Sequence, residues 1–308
     1  MRVVVFGTSA FAVPSLERVA ARHDIVLCVT QPDRPQGRGL HLEPSPVKRA
    51  ATRLGLPLIQ PQRLSASGLA DVTADVGVLA SYGQLVPGSV LAVPTHGVLG
   101  VHPSLLPKYR GAAPIAWAIL NGETATGLTI YRLDKRLDAG EILCQRQVPM
   151  TPGEDAGQLT DRLALIGAEE LMRGLEALAC GRARFTPQDE SQASCAPKFT
   201  KEQGQIDWRQ PAEQIVRMIR ALTPWPGATA LWRGRPLRIW SARVLASSGA
   251  SPGCILQVGT EAVVVGAGQG AVAVTEVQLS GKRRMRVSEF LAGHPIKPGD
   301  TLGVVSDE

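Results

Sequence analysis

The chain has 308 residues, of which 44% are hydrophobic and 19% charged, and its formal net charge is +6. This length suits two domains or one large one, and the composition excludes a disordered protein. No apolar run approaches the ~18 residues that a membrane span needs. The apolar run at residues 3–6 is too short for a signal peptide and is better explained as a buried strand. We therefore expect a cytoplasmic globular protein.

The five cysteines lie far apart, at Cys28, Cys144, Cys180, Cys195 and Cys254. No Cys-x-x-Cys pair occurs, so the spacing favours neither a zinc site nor a disulfide framework. We interpret all five as structural residues and expect no metal.

The positive charge is concentrated towards the C-terminus. Residues 201–308 carry 13 Lys and Arg against 9 Asp and Glu, while residues 1–200 carry 20 against 18. A basic C-terminal segment is consistent with a polyanionic partner such as RNA. The excess alone is weak support, because many bacterial proteins are basic.

The first half of the chain alternates apolar runs with helix signals. Strands are predicted at residues 2–6, 25–30, 75–80, 98–101, 126–133 and 142–148. Ser45 and Pro46 predict the start of a helix and Gly55 its end. Further helices are predicted at residues 15–22 and 155–179. This order predicts an open, mostly parallel, Rossmann-like α/β sheet with helices on both faces.

The second half has a different pattern. Residues 181–204 are polar and aperiodic, which is typical of an interdomain linker. A short helix is predicted at 211–222, and from 228 to 305 short β-type runs are separated by Gly and Pro. This pattern predicts a small antiparallel, OB-like β-barrel. The predicted domains are therefore 1–180 and 205–308, with a linker at 181–204.

The glycine turn after the first strand is not a dinucleotide site. Residues 7–12 lack the second and third glycines of that fingerprint, and no acidic residue ends the second strand. We interpret the segment as a plain strand-to-helix turn.

The chemistry concentrates around His102 and Asp138. His102 ends a predicted parallel strand, and open parallel sheets bind ligands beyond the carboxyl ends of their strands. Three prolines stiffen the loop that follows it, and Asp138 lies in a turn between two later strands. A lone His or Asp is more often structural, but their joint placement marks a candidate site.

These motifs resemble the formyltransferases that use 10-formyltetrahydrofolate. The resemblance rests on His102, on Ser-Leu-Leu-Pro-x-Tyr-Arg-Gly-Ala-Ala-Pro-Ile at 104–115, and on Leu-Asp-Ala-Gly at 137–140. It extends along nearly the whole chain and is closest to the methionyl-tRNA formyltransferases. Supporting segments lie at 11–14, 30–35, 45–48, 82–84, 196–198, 206–208 and 224–228.

The resemblance implies a reaction and a site. The reaction is transfer of a formyl group from 10-formyltetrahydrofolate to the α-amine of methionyl-initiator-tRNA. His102 would hydrogen-bond the developing charge, while Asp138 would orient His102 and accept a proton through water. The folate-binding residues it implies are Ser104, Leu105, Leu106 and Pro107, with a loop of Tyr82, Gly83, Gln84, Leu85 and Val86 enclosing the pterin.

The resemblance also implies a tRNA-binding surface on a monomeric protein. The expected contacts are Arg34, Arg38 and His41 in the 31–44 loop, and Lys282, Arg283, Arg284 and Arg286 in the second domain. Such residues would contact phosphates and orient the tRNA without reading its sequence. Without the resemblance, the 31–44 loop would be interpreted as a solvated surface loop.

The sequence departs from the resemblance at Gly100. An asparagine is expected two residues before the histidine, and glycine offers no side-chain donor. Losing one oxyanion donor costs about 10²–10³ in rate. The enzyme could be impaired, a water or Gln84 could fill the vacancy, or the protein could bind without much catalysis. We favour an impaired or rescued enzyme, and expect Gly100→Asn to raise kcat by about that factor.

Two other functions stay open from the sequence. One is formyl transfer to a small amine, such as glycinamide ribonucleotide or an amino-sugar nucleotide. Residues 102–107 also resemble glycinamide ribonucleotide formyltransferase, and amino-sugar formyltransferases share the two-domain plan. The other is a non-catalytic folate- or tRNA-binding protein, which Gly100 alone supports.

Overall fold

A computed structural model of the protein describes residues 1–36, 41–246 and 251–303, with the backbone alone at Gln36 and His41. The chain forms two compact units. The first comprises Met1–Pro114, Ala125–Met150 and Leu159–Pro197, and the second Ile115–Thr124, Thr151–Gln158 and the chain from Lys198 onward. No helix of these described residues is long and apolar enough to cross a membrane.

The helices and strands follow one another in this order. The helices are α1 (Val13–Ala20), α2 (Pro46–Arg53), α3 (Gly88–Leu91), α4 (Pro114–Leu120), α5 (Ala156–Ala179), α6 (Ala212–Ala221) and α7 (Val287–Gly293). The strands of the first unit are β1 (Arg2–Gly7), β2 (Asp24–Val29), β3 (Arg34–Gln36), β4 (His41–Glu43), β5 (Leu58–Ile59), β6 (Val76–Ala80), β7 (Val98–His102), β8 (Ala125–Arg132) and β9 (Ile142–Pro149). Those of the second are β10 (Ala228–Trp232), β11 (Arg235–Leu245), β12 (Ile255–Val258), β13 (Val263–Gly266), β14 (Ala271–Leu279) and β15 (Met285–Arg286).

The first unit is built on a seven-stranded sheet of order β5-β2-β1-β6-β7-β8-β9. The strands from β5 to β7 run parallel, and β8 and β9 continue the sheet antiparallel. Val3, Val4, Val5 and Phe6 of β1 are at most 1% exposed. A strand covered on both faces needs apolar residues throughout, which is why the run does not alternate. The predicted open, mostly parallel sheet is confirmed.

Local sequence signals set the limits of α2. The side chain of Ser45 accepts a hydrogen bond from the Lys48 backbone N–H at 3.0 Å, and Pro46 occupies the first helical position. Gly55 follows the helix with φ 66°, a conformation that glycine adopts without strain. The start and end predicted from Ser45, Pro46 and Gly55 are confirmed.

The predicted linker at 181–204 is divided between the two units, with 181–197 in the first and 198–204 in the second. Thr186 and Ile142 exchange two backbone hydrogen bonds, of 2.8 and 2.9 Å. The stretch from 186 to 196 is therefore ordered against the first unit, although its sequence is polar and aperiodic. The predicted domain limits, 1–180 and 205–308, stay a prediction.

The second unit contains an antiparallel sheet of order β10-β11-β14-β13-β12, with β15 paired to β14. The described end of the chain lies across both of its edges. Gly303 forms a bridge with Leu231 of β10, and Thr301 forms one with Cys254, just before β12. The predicted antiparallel β domain is confirmed. Between its edge strands β10 and β12, the end of the chain forms single bridges rather than a continuous ladder.

Candidate active site

His102 lies at the carboxyl end of β7. This strand is parallel to β6, and Leu79 of β6 pairs with Gly100. The loops after β6 and β7 therefore leave the same edge of the sheet, together with those after β1 and β2. On the other side, antiparallel β8 places Thr129 opposite His102 and Tyr131 opposite Gly100. His102 thus stands at the edge where open parallel sheets bind ligands.

The structure brings His102 and Asp138 together. Their Nδ1 and Oδ2 atoms are 3.7 Å apart, and both side chains are largely buried. This distance is too long for a direct hydrogen bond. His102 is instead oriented by its other nitrogen, Nε2, which lies 2.9 Å from the Tyr109 carbonyl oxygen. Because a carbonyl only accepts, Nε2 carries a proton and Nδ1 is the nitrogen that can exchange one.

Donors hold both oxygens of the Asp138 carboxylate. Oδ2 accepts from the Gly111 backbone N–H at 2.8 Å, and Oδ1 accepts from the Tyr131 hydroxyl at 2.7 Å. The Asp138 backbone has φ 50°, a left-handed conformation that residues other than glycine rarely adopt. The side chain is therefore fixed at its backbone and at each oxygen.

The space beside Gly100 is filled. A Cβ atom at this position would lie 2.4 Å from Cε1 of Tyr131 and 2.7 Å from Cδ1 of Leu133. The Tyr131 ring takes up the space directly beside Gly100, and the expectation that a water or Gln84 supplies the missing donor stays a prediction. The new side chain of Gly100→Asn would overlap this ring, which argues against the expected rise in kcat.

The 104–107 loop is tied to β8 and β9 by two polar side chains, the buried Thr129 and the exposed Gln145. The Thr129 hydroxyl donates to the Ser104 carbonyl at 2.7 Å and accepts from the Leu106 N–H at 3.1 Å. The Gln145 amide donates to the Leu106 carbonyl at 2.8 Å and to the Thr129 hydroxyl at 2.9 Å. Leu105 packs where a Cβ on Gly127 would lie only 2.4 Å away. The loop is thus held in one conformation before any ligand binds.

The chain from 186 to 196 supports the same loop from its far end. Ser194 donates its N–H to the Pro107 carbonyl at 3.2 Å and accepts the Tyr109 N–H on its hydroxyl at 2.9 Å. Arg110 exchanges backbone hydrogen bonds with Ser194 and Ala196, at 2.8 and 2.7 Å. A segment that the sequence predicts as a linker therefore forms part of the wall behind His102.

Gln188, in that segment, joins the loop to the turn of Asp138. Its amide donates to the carbonyl oxygens of Asp138 and Gly140, at 2.9 and 2.7 Å. Its own oxygen accepts from the Arg110 guanidinium at 2.7 Å. Arg110 also binds Glu190, and its hydrogen bonds hold the pKa of that exposed carboxyl below its usual range. Sequence reasoning missed Gln188 because no pattern signals a contact across 50 residues.

The loop at 82–86 follows β6 at the same sheet edge. Tyr82 is buried, and its carbonyl oxygen accepts from the Thr8 hydroxyl and from the Gln31 amide, both at 2.8 Å. Gly83 has φ 81°, and a Cβ there would lie 2.5 Å from the Gln31 amide nitrogen. Leu85 is 82% exposed. The remaining two residues of this loop, Gln84 and Val86, are half-buried.

The tRNA-contact residues predicted in the 31–44 loop are only partly described. Arg34 is exposed on β3, and its guanidinium donates to the Gln31 side chain at 2.8 Å. His41 pairs with Gln36 in the ribbon of β3 and β4. Arg38 lies outside the described residues.

The basic run of the second unit is partly neutralised by its own neighbours. Two of the four predicted contacts are in ion pairs, Arg283 with Glu289 and Arg284 with Glu276. Lys282 and Arg286 are exposed, and within the described part of the chain neither has an ion-pair partner. Lys282 and Arg286 are therefore the two residues of this run whose positive charge no ion pair neutralises among the described residues.

A cavity of about 470 Å³ in the second unit gathers further arginines. Its charged lining consists of Arg220, Arg243, Arg284 and Arg286 with Asp155, Glu261 and Glu276. Trp240 also lines it and carries two guanidinium groups over its ring, those of Arg238 and Arg284, each 4.7 Å from the ring centroid. With four cations and three carboxylates, the cavity has a net charge of only +1.

Comparison with known protein families matches both parts of the chain. Residues 1–175 match the family described as formyl transferase, and residues 198–295 match the formyl transferase C-terminal domain. These two matches define the chain as a two-domain formyltransferase.

Relatives in several bacteria specify the family further. The methionyl-tRNA formyltransferase of Geobacter metallireducens is 42% identical over 98% of this chain and 99% of its own length. That of Roseiflexus castenholzii is 45% identical over the same shares. The chain belongs to the methionyl-tRNA formyltransferase family.

Solved structures share the fold at lower identity. HypX from Aquifex aeolicus, solved with tetrahydrofolic acid, is 20% identical with a TM-score of 0.65, and this chain spans 51% of its length. An N-formyltransferase from Helicobacter canadensis, solved with folinic acid and dTDP-3-aminofucose, is 16% identical with a TM-score of 0.68. The match covers 88% of this chain and 98% of that one. At these identities the likeness concerns the fold alone.

Proposed function

We propose that this protein transfers a formyl group from 10-formyltetrahydrofolate to the α-amine of methionyl-initiator-tRNA. The observation that carries the proposal is the convergence of His102 and Asp138 at the ligand-binding edge of the sheet, in a chain related to this family along its whole length. Since one fold can host several functions, the residues at this edge must account for the chemistry.

The proposed reaction needs one proton to be moved, without a net gain or loss. The amine nitrogen forms a bond to the formyl carbon, and the bond between that carbon and N10 of the folate breaks. The folate supplies the activated one-carbon unit when it is bound. The amine gives up one proton and N10 takes up one, so the protein has to pass a proton on and stabilise a transient oxyanion.

His102 and Asp138 are suited to these two tasks. Because Nε2 of His102 donates its proton to the Tyr109 carbonyl, Nδ1 is the nitrogen that can accept a proton and, once protonated, donate to the oxyanion. Oδ2 of Asp138 faces Nδ1 at 3.7 Å and can accept the amine proton. A positioned acid or base of this kind contributes about 10²–10⁴ to the rate.

The loops at 82–86 and 104–107 are the proposed walls of the folate site. Ligand sites combine apolar surface with a few fixed polar groups. The exposed Leu85 offers apolar surface that a flat pterin ring can cover. The N–H and C=O of Leu106 already bond to Thr129 and Gln145, so other groups of the loop would meet the polar atoms of the donor.

The proposed tRNA contacts are phosphate contacts. Arg34, Lys282 and Arg286 are exposed cations that can bind phosphate oxygens. Arg38 and His41 are kept as proposed contacts from the sequence. The ion-paired Arg283 and Arg284 would first have to leave Glu289 and Glu276, so we expect them to contribute less.

The test is formylation of charged initiator tRNA in the presence of the folate donor. Wild-type protein should formylate methionyl-initiator-tRNA, and His102→Asn should lower kcat by about 10²–10⁴ while binding persists. Glycinamide ribonucleotide and an amino-sugar nucleotide should not compete. A preference for either small amine would mean that tRNA is not the substrate. The absence of product in a single turnover would mean that the protein binds its ligands without catalysis.

A further inference from the structure

Gly100 and Tyr131 face each other across the pair of strands β7 and β8. The Tyr131 side chain is 3% exposed, and its ring lies where the side chain of any larger residue at position 100 would begin. A Cβ on residue 100 would come within 2.4 Å of Cε1 and 2.7 Å of Cζ, distances that real Cβ atoms essentially never show. The ring can occupy this place only because residue 100 has no side chain.

The Tyr131 hydroxyl is directed at the reacting groups. It donates to Oδ1 of Asp138 at 2.7 Å, and its ring meets the His102 ring edge-on at a centroid distance of 6.4 Å. Burial and the nearby Asp138 carboxylate raise the pKa of Tyr131 well above its usual value. The phenol is therefore protonated at neutral pH and remains a donor.

We propose that Tyr131 is the positioning residue for Asp138, and that Gly100 is present because the Tyr131 ring needs its space. This deepens the function proposed above and rests on it. With Tyr131 on Oδ1 and the Gly111 N–H on Oδ2, the carboxylate cannot rotate, and Oδ2 stays turned towards Nδ1 of His102. The glycine at position 100 thus makes room for Tyr131 and does not mark the loss of a catalytic side chain.

A core-filling role for Tyr131 would give different results. If only packing mattered, the hydroxyl would be dispensable, because phenylalanine has the same ring. If the hydroxyl positions Asp138, its removal should affect the chemical step and leave substrate binding nearly intact.

The first test is Tyr131→Phe, with Thr223→Val as the matched control. Thr223 has a buried hydroxyl that donates to the Ile219 carbonyl at 2.8 Å in the second unit, so the control also loses one buried hydroxyl bond. Tyr131→Phe should lower kcat about 10- to 100-fold, the effect of losing a hydrogen bond to a charged group. The KM values for the donor and the tRNA should change less than about twofold, and Thr223→Val should leave kcat unchanged.

The second test is a double-mutant cycle on the pair. Gly100→Asn and Tyr131→Leu should each lower kcat, the first by displacing the ring and the second by removing the hydroxyl. In the double variant the smaller leucine leaves room for the asparagine amide. The kcat of the double variant should therefore be at least about tenfold higher than that of Gly100→Asn alone. Independent sites do not show such a coupling.

A third readout does not require turnover. The ring-nitrogen NMR signals of His102 report what faces Nδ1, so they should shift in Tyr131→Phe and stay in place in Thr223→Val. Unchanged signals and an unchanged kcat in Tyr131→Phe would overturn the inference, as would additivity in the cycle. A wild-type protein that does not formylate methionyl-tRNA would overturn the proposed function instead, while the NMR comparison would still decide the role of Tyr131.

Discussion

Nδ1 of His102 and Oδ2 of Asp138 face each other at 3.7 Å, and separate hydrogen bonds hold each side chain in place. The two groups are close enough to share a task and too far apart to neutralise each other through a direct hydrogen bond. The turn after β8 and the loop after β7 thus keep both groups available to a substrate.

Asp138→Asn should lower kcat about 10²–10⁴-fold, because the amide cannot accept a proton from the amine. Asparagine also tolerates the left-handed backbone of this position, so the fold should persist. The measurement is the single-turnover rate of formylation, with circular dichroism to check the fold. Asp134→Asn is the control, since it makes the same change at a more exposed carboxylate of the same turn. A rate for Asp138→Asn within about threefold of wild type would exclude Asp138 as the proton acceptor.

Thr129→Val should loosen the 104–107 loop without changing the volume of the side chain. It removes the hydroxyl bonded to Ser104, Leu106 and Gln145, and leaves the Ser104 carbonyl and the Leu106 N–H without this buried partner. We expect a loss of about 1–3 kcal/mol in the free energy of unfolding and a raised KM for the folate donor. Denaturant unfolding and steady-state kinetics measure these two effects.

Thr126→Val provides the comparison for that loop. Thr126 is buried on the same strand, and within the described ranges its side chain has no hydrogen-bond partner. Its replacement should change the donor KM less than about twofold. Equal KM values for the two valine variants would argue that the 104–107 loop does not contact the donor.

Substitutions in and around the basic run of the second unit should change tRNA binding to different extents. If Lys282 and Arg286 each contact one phosphate, replacing either by alanine should flatten the slope of log K against log salt by about 0.7–0.9. Arg283→Ala should have a smaller effect, since Glu289 already pairs with that residue. Glu276→Gln should strengthen tRNA binding, because it releases Arg284. Filter binding of charged tRNA at several salt concentrations measures the slope for all four variants. Four equal slopes would mean that the tRNA does not contact this surface.

The cysteines should differ in their reactivity towards iodoacetamide, which attacks the thiolate. Burial raises the pKa of Cys28 to about 12 and that of Cys144 to about 11, so both are almost wholly protonated at pH 8. Their thiolate fraction rises about tenfold for each pH unit. Cys180 and Cys195 are exposed and should be alkylated first, as peptide mass spectrometry can show. Early modification of Cys28 in the folded protein would mean that the first sheet opens readily.

Local signals in the sequence were enough for much of the fold. The continuous apolar run of β1 predicts a strand buried on both faces, and Ser45, Pro46 and Gly55 mark the ends of α2. His102 could be placed at the sheet edge because a strand end and a rigid loop are both local features.

Contacts between distant residues could not be read in this way. Tyr131 lies within a predicted strand, but its relation to Gly100 depends on the register of β7 against β8. Gln188 and Ser194 occupy a polar, aperiodic stretch whose order comes from hydrogen bonds to the 107–113 loop and to the turn of Asp138. The partners of Arg283 and Arg284 are likewise fixed by tertiary structure.

The bridges made by Thr301 and Gly303 have a consequence for aggregation. They join residue 303 to residue 231 and residue 301 to residue 254, and contacts of such long range form late. Without these bridges the outer edge of β12 and the Leu231 end of β10 lose their backbone partners, and unpaired strand edges can pair with other chains. A chain that ends before Thr301 should therefore aggregate more readily than the full chain.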